Sequence, residues 1–346
     1  MSRAFITGVA GLVLGAAEQA FLREADPWGL ILFRRNVATP DQVRRLVAAF
    51  RETIGRADAP VLIDQEGGRV QRLGPPHWRL YPAGRLYGDL YDRDPAAGLA
   101  AARLGARLIA ADLDALGVTV DCLPLADVPV AEADPVIGDR AYGTTPEKVA
   151  AIAAAVAEGL IEGGVLPVLK HLPGHGRANA DSHARLPVVS ATRAELEAGD
   201  FAAFRPLAHL PLGMTAHVVY TAIDASGPAT TSPRVIADVI RGAIGFDGLL
   251  MSDDVSMGAL SGSLAARTRA CFAAGCDLVL HCNGDLAEME AVAGESPMLA
   301  GESERRAAAA LAARKAPAAF DADAAWARFS VMMAPVQRMT DSVPAA

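Results

Sequence analysis

Eight short runs of nearly continuous Val, Ile and Leu, helical stretches with their own start signals between them, and polar side chains gathered at the ends of five runs predict an α/β fold, a single-domain (β/α)8 TIM barrel. A strand buried on both faces shows water no polar side, so it reads as an unbroken apolar run. A helix must then carry the chain back before the next parallel strand can begin. The runs are residues 4–8, 29–33, 60–64, 118–123, 166–170, 212–216, 249–252 and 277–281. Helix starts are marked by a hydroxyl at the N-cap, with proline or Glu/Gln just inside: Thr39 before Pro40 with Gln42, Thr145 before Pro146, Thr192 with Glu195, and Ser232 before Pro233. The eight units run somewhat beyond the ~250-residue norm of such barrels. Ala-rich helices from residue 302 to 340 read as C-terminal packing helices on the same domain.

Residues 4–17 are apolar and follow Arg3, yet Gly8, Gly11 and Gly15 interrupt them and an amphipathic stretch follows at once. A first strand and helix explain this better than a cleaved leader. With 346 residues, 52% hydrophobic and 21% charged, the chain can bury a large core. A net charge of -8 argues against a general nucleic-acid binder, whose phosphate contacts need a basic surface. No apolar run approaches the ~20 residues of a membrane span. Cys122, Cys271, Cys276 and Cys282 have neither C-x-x-C spacing nor disulfide-framework density, which suits buried thiols in the cytoplasm.

An open doubly wound sheet would accept the same alternation, so the polar residues must arbitrate. The third run leads into Asp64-Gln65-Glu66-Gly67-Gly68-Arg69, the fifth into Lys170-His171, the sixth into His217, the seventh into Asp253-Asp254 and the eighth into His281. Groups at so many strand ends converge on the rim of a barrel, whereas an open sheet gathers its ligand groups at one switch point. No G-x-G-x-x-G or Walker loop is present. After the fifth run, His171, His175 and His183 bring three of the seven histidines into one Gly- and Pro-broken segment that cannot be helical. Histidine titrates near neutrality, and Asp181, two residues from His183, can orient its ring and favour the imidazolium.

Four segments together carry a family resemblance: L-I-D-Q-E-G-G-R-V-Q-R at 62–72, I-G-D-R-A-Y-G at 137–143, K-H-L-P-G-H-G followed by D-S-H at 170–183, and M-S-D-D-V-S-M-G-A at 251–259. In this order the chain resembles glycoside hydrolase family 3, and within it the single-domain bacterial β-N-acetylglucosaminidases that recycle cell-wall fragments. One departure is Leu172, where the family has an aromatic residue. The resemblance implies a retaining exo-β-N-acetylglucosaminidase acting on terminal non-reducing N-acetylglucosamine of GlcNAc-anhydroMurNAc muropeptides. Many family members with a second domain take glucosides or xylosides and draw their acid from that domain; the length of this chain favours the single-domain, histidine type.

Retaining hydrolysis needs a carboxylate nucleophile and a proton donor flanking the scissile bond. Asp253, at the end of the seventh run, is the nucleophile that the resemblance implies, with Asp254 expected to point elsewhere. The implied donor and acceptor of protons is His183, oriented by Asp181. Asp64, Arg72, Arg140, Lys170 and His171 form the expected sugar clamp, since a carboxylate accepts from hydroxyls while arginine and lysine donate to hydroxyls and an acetamido carbonyl. Arg72 and Arg140 could equally pair with Asp64 or Glu66. His175 is expected to hold its loop, while His217 and His281 could line the pocket or sit as satisfied core histidines. A glycoside phosphorylase is the near alternative, because a histidine acid would not repel phosphate. A metal-dependent hydrolase using His171, His175, Asp181 and His183 is the distant one, although its H-E-x-x-H spacing is absent. The expected partner is a small amino-sugar or muropeptide substrate, with no cofactor, metal, nucleic acid or membrane, and the chain is expected to act as a monomer.

Overall fold

The computed structural model describes residues 2–340, and the side chains of residues 2–337. Eight parallel strands close into a barrel: β1 (Arg3–Thr7), β2 (Pro27–Leu32), β3 (Val61–Ile63), β4 (Val120–Asp121), β5 (Leu166–Leu172), β6 (Leu212–Thr215), β7 (Leu249–Asp254) and β8 (Leu278–His281). Each pairs with its neighbour in sequence, and β8 returns to β1 with Phe5 opposite Val279. All eight runs read from the sequence are strands, with shifted ends. β4 is shorter than its apolar run; beyond it Pro124 has no N–H to donate, and pairing with β5 resumes at Leu125 opposite Lys170. β5 and β7 each extend by two residues, to Leu172 and Asp254.

Strand alternation sorts the side chains into two cores. Ile6, Ile31, Leu62, Val120, Val168, Met214, Met251 and Leu280 fill the barrel. Their neighbours Phe5, Leu30, Ile63, Leu169, Leu250 and Val279 face outward against the helices. Each fully buried aliphatic side chain contributes about 1.5–3 kcal/mol. A one-residue slip of any strand would exchange its two sets, so the register is firmly specified.

Helix starts follow the sequence signals. Thr39 accepts the N–H of Gln42 at 3.3 Å, Thr192 and Glu195 form a reciprocal capping box, and Ser232 accepts the N–H of Val235 at 3.1 Å. Thr145 takes the extended cap conformation before Pro146 without a side-chain cap bond. Two helices, Gly84–Arg93 and Pro95–Asp114, fill the long connection from β3 to β4. The C-terminal helices are Gly301–Ala312 and Ala322–Thr340. Phe329 of the second is buried, its ring 6.3 Å from that of Tyr87, so this helix covers the β3–β4 helices. No helix among the described residues is long and apolar enough to cross a membrane.

Candidate active site

The alternation that builds the barrel interior also decides which polar side chains reach its mouth. On β5, Leu166 and Val168 point inward, so Lys170 is the next residue on that face. On β7, Leu249 and Met251 point inward, which puts Asp253 on the same face; the register with β8 shifts between Met251 and Asp254, and Asp254 also reaches the cavity wall. Leu62 does the same for Asp64 beyond β3. A cavity of about 430 Å³ opens at this end of the barrel, lined among others by Asp64, Lys170, His171, Asp181, His183 and Asp253.

Its floor is a chain of ion pairs. Asp64 meets Lys170 Nζ at 3.1 Å and Arg72 Nη2 at 2.9 Å. Glu66 meets the same Nζ at 2.7 Å and accepts both Nε and Nη2 of Arg140 at 2.8 Å each. A hairpin makes this possible. Gln65–Gly67 pairs antiparallel with Val70–Gln71 across Gly67 and Gly68, whose φ angles of 95° and 56° suit glycine. The buried Gln65 side chain accepts the N–H groups of Arg72 and Leu73 and so folds Arg72 back over Asp64. Burial opposes ionisation of Asp64, yet Lys170 and Arg72 hold its carboxyl far below the usual range. Burial is likewise overruled at Glu66, which Arg140 and Lys170 lower to about 2. For Lys170, burial disfavours the cation, but Glu66 and Asp64 hold it charged with a raised pKa. Arg72 and Arg140 thus both line the cavity and serve as ion-pair partners.

Asp253 is half-buried in the cavity wall. Burial pushes its carboxyl up, while His217, His171 and the N–H of Asp254 bring it below its ordinary value, so it is ionised at neutral pH. Its Oδ1 accepts the Asp254 N–H at 2.8 Å. Asp254 is occupied otherwise: its carboxylate accepts from the N–H and hydroxyl of Ser256 and from the N–H of Cys282.

Above the cavity lies the loop after β5. His183 places Nδ1 2.8 Å from Asp181 Oδ1, which also accepts the His183 N–H at 2.9 Å. Burial opposes ionisation of Asp181, but these bonds together bring its pKa below the ordinary value. The His183 side chain is 70% exposed, so this pair is reachable from solvent. The loop is tied down at both ends. His175 Nε2 lies 3.2 Å from Ser182 Oγ, and the carbonyls of Ser182 and His183 accept the N–H groups of Ala259 and Gly258 at 3.1 and 3.2 Å. His175 is buried, and burial first, then His171, lowers it to about 4, so it is a neutral loop holder.

Neither His217 nor His281 lines the cavity. His217 Nε2 donates to the Asp254 carbonyl at 2.9 Å, and burial keeps its pKa low. His281 Nε2 meets Glu288 at 3.0 Å. Asp127, a buried carboxylate that binds His171, is not among the expected site residues, and Glu66, expected only as a pairing partner, also holds Lys170. Asp127 was the lone acid in the apolar stretch 122–130, which is the signal that could have found it. The rival metal set is not assembled: His171, His175 and His183 turn to Asp127, Ser182 and Asp181 respectively. Among the described residues, no three His, Cys, Asp or Glu side chains converge as a ligand set.

A barrel-mouth cavity that holds paired carboxylates, basic side chains and a solvent-facing imidazole fits the chemistry of glycosidic bonds, and the chain is a barrel glycoside hydrolase. More specifically, it belongs to glycosyl hydrolase family 3, whose N-terminal domain matches residues 13–307. It is 41% identical over 280 residues to a β-hexosaminidase of Alkalilimnicola ehrlichii, covering 80% of this chain and 79% of that protein. A β-hexosaminidase of Methylococcus capsulatus is 43% identical over 274 residues, 78% of this chain and 80% of the relative. NagZ from Neisseria gonorrhoeae, solved in complex with N-trifluoroacetyl-D-glucosamine, superposes with a TM-score of 0.83 at 31% identity, covering 97% of each chain.

Proposed function

We propose that this enzyme is a retaining exo-β-N-acetylhexosaminidase that removes terminal, non-reducing β-linked N-acetylglucosamine through a covalent glycosyl-aspartate. The observation that carries the proposal is the presence, in a single cavity, of one carboxylate with no ion-pair partner among the described residues, held only by the Asp254 N–H, and one imidazole–carboxylate pair. Asp64 and Glu66 are bound to cations and Asp254 to its neighbours, which leaves Asp253 as the nucleophile. A carboxylate oxygen of Asp253 attacks C1 as the C1–O bond to the leaving group breaks. His183, with Nδ1 on Asp181, donates the proton on Nε2 to the departing oxygen. The same nitrogen then takes a proton from water, whose oxygen attacks C1 and releases Asp253, so two inversions give net retention. The floor of Asp64, Lys170, Arg72 and Arg140 with His171 grips the sugar, and a pre-formed ionic floor costs no reorganisation during reaction.

The sugar is supported by the β-hexosaminidases among the relatives and by the amino-sugar in the Neisseria complex. The finer proposal is a GlcNAc-anhydroMurNAc muropeptide from peptidoglycan turnover, cleaved in the cytoplasm, a setting that agrees with four buried, unpaired cysteines. The test is a panel of chromogenic β-glycosides, with and without phosphate and EDTA. Release from the N-acetylglucosaminide that is indifferent to both additives is expected. Phosphate-dependent formation of a sugar phosphate would make the enzyme a phosphorylase, and loss of activity in EDTA would overturn the metal-free mechanism.

A further inference from the structure

We infer that Asp127 is a positioning residue that forms with His171 a second imidazole–carboxylate pair, buried under the sugar site as Asp181–His183 is exposed above it. Asp127 lies beyond the short β4, wholly inaccessible to solvent. Its Oδ2 sits 2.7 Å from His171 Nδ1, while Oδ1 accepts the backbone N–H of His171 at 3.3 Å and of His175 at 2.6 Å. One carboxylate therefore fixes both the ring and the backbone of the residue that follows Lys170. Burial opposes its ionisation, but His171 chiefly, then His175, brings it to about 2, so it is an anion that can only accept.

The consequence is a defined tautomer. An acceptor at Nδ1 requires Nδ1–H, so Nε2 is the nitrogen His171 offers to the cavity. The arrangement also reaches the acid–base loop. The His171 and His175 rings meet edge to face at 5.6 Å, and His175 holds Ser182, the residue before His183. Asp127 thus positions a sugar-facing histidine directly and the loop of the proton donor through His175.

Asp127→Asn is the clean probe because it keeps the shape. Oδ1 can still accept the two backbone N–H groups, but an amide NH2 in place of Oδ2 cannot accept from Nδ1–H. The His171 ring must then turn or adopt the Nε2–H tautomer. Outer carboxylates that hold functional histidines are worth roughly 10- to 100-fold in other sites, and a loss of that order in kcat/KM is expected. A purely structural residue would act independently of His171, so the deciding measurement is the double-variant cycle. D127N with H171A should be no slower than H171A alone. Multiplicative losses, or wild-type kcat/KM in D127N, would overturn the inference.

The kinetic arm rests on the glycosidase reading; a second arm does not. In the ¹⁵N-histidine NMR spectrum of the wild-type enzyme, with the His171 signals assigned by H171A, Nδ1 should be protonated. An unprotonated Nδ1 would refute the pairing whatever the enzyme hydrolyses, and this readout needs no folded D127N.

Discussion

Glu66→Gln tests whether the ionic floor is a fixed, pre-formed element. The Glu66 side chain is only 4% exposed and accepts two Arg140 N–H groups at 2.8 Å while facing Lys170 at 2.7 Å. Glutamine offers one acceptor oxygen, and its NH2 would confront a buried cation. Two routes give the magnitude. Removing one partner of a buried pair costs about 3–5 kcal/mol. The lowering of Glu66 from 4.5 to about 2 corresponds independently to about 3 kcal/mol at neutral pH. A depressed carboxylate stabilises fully above its unfolded value near 4.5 and loses that contribution as pH falls toward 2. The deficit of E66Q should therefore narrow by about 2 kcal/mol between pH 7 and pH 3. Urea denaturation of both proteins, followed by circular dichroism across this range, reads it. A deficit below about 1 kcal/mol at pH 7, or one that does not change with pH, would refute the reasoning.

Three further substitutions bear on the site. His183→Ala should lower kcat by about 10²–10⁴-fold, with an unchanged melting temperature because the side chain is largely exposed; a kcat within threefold of wild type would remove His183 from proton transfer. Asp181→Asn should lower kcat less, and the double variant should be no slower than His183→Ala, as steady-state kinetics will reveal. A Cβ on Gly258 would come within 2.8 Å of the His183 carbonyl and 3.0 Å of the Ala184 carbonyl. Gly258→Ala should thus displace the loop that carries His183 and, on the proposed mechanism, reduce kcat with little change in KM; wild-type kcat would show that the tie between the two loops is dispensable.

Most of the barrel was legible because burial on both faces leaves an apolar run for each strand, and hydroxyl caps mark the helices between. The ends were less so: β4 is confined to Val120–Asp121, and β7 carries its ladder on to Asp254. Hydrogen bonding separates Asp253 from Asp254: both line the cavity, but the Asp254 carboxylate is held by Ser256 and by the N–H of Cys282. What the sequence could not display is pairing across the fold. Arg140 reaches Glu66 from 74 residues away, and Asp127 reaches His171 from 44 residues away. Such contacts depend on loops folding over the rim, which have no periodic signal. The locally spaced Asp181–His183 pair, two residues apart, was readable for the opposite reason.

The central claim is that Asp253 becomes covalently glycosylated opposite a histidine acid. Incubation with a 5-fluoro N-acetylglucosaminyl fluoride, proteolysis and mass mapping test it most directly. The account predicts a single sugar adduct on Asp253, accumulating faster in the wild type than it is released. An adduct on Asp254 or Glu66, or none together with an inverted product, would contradict it.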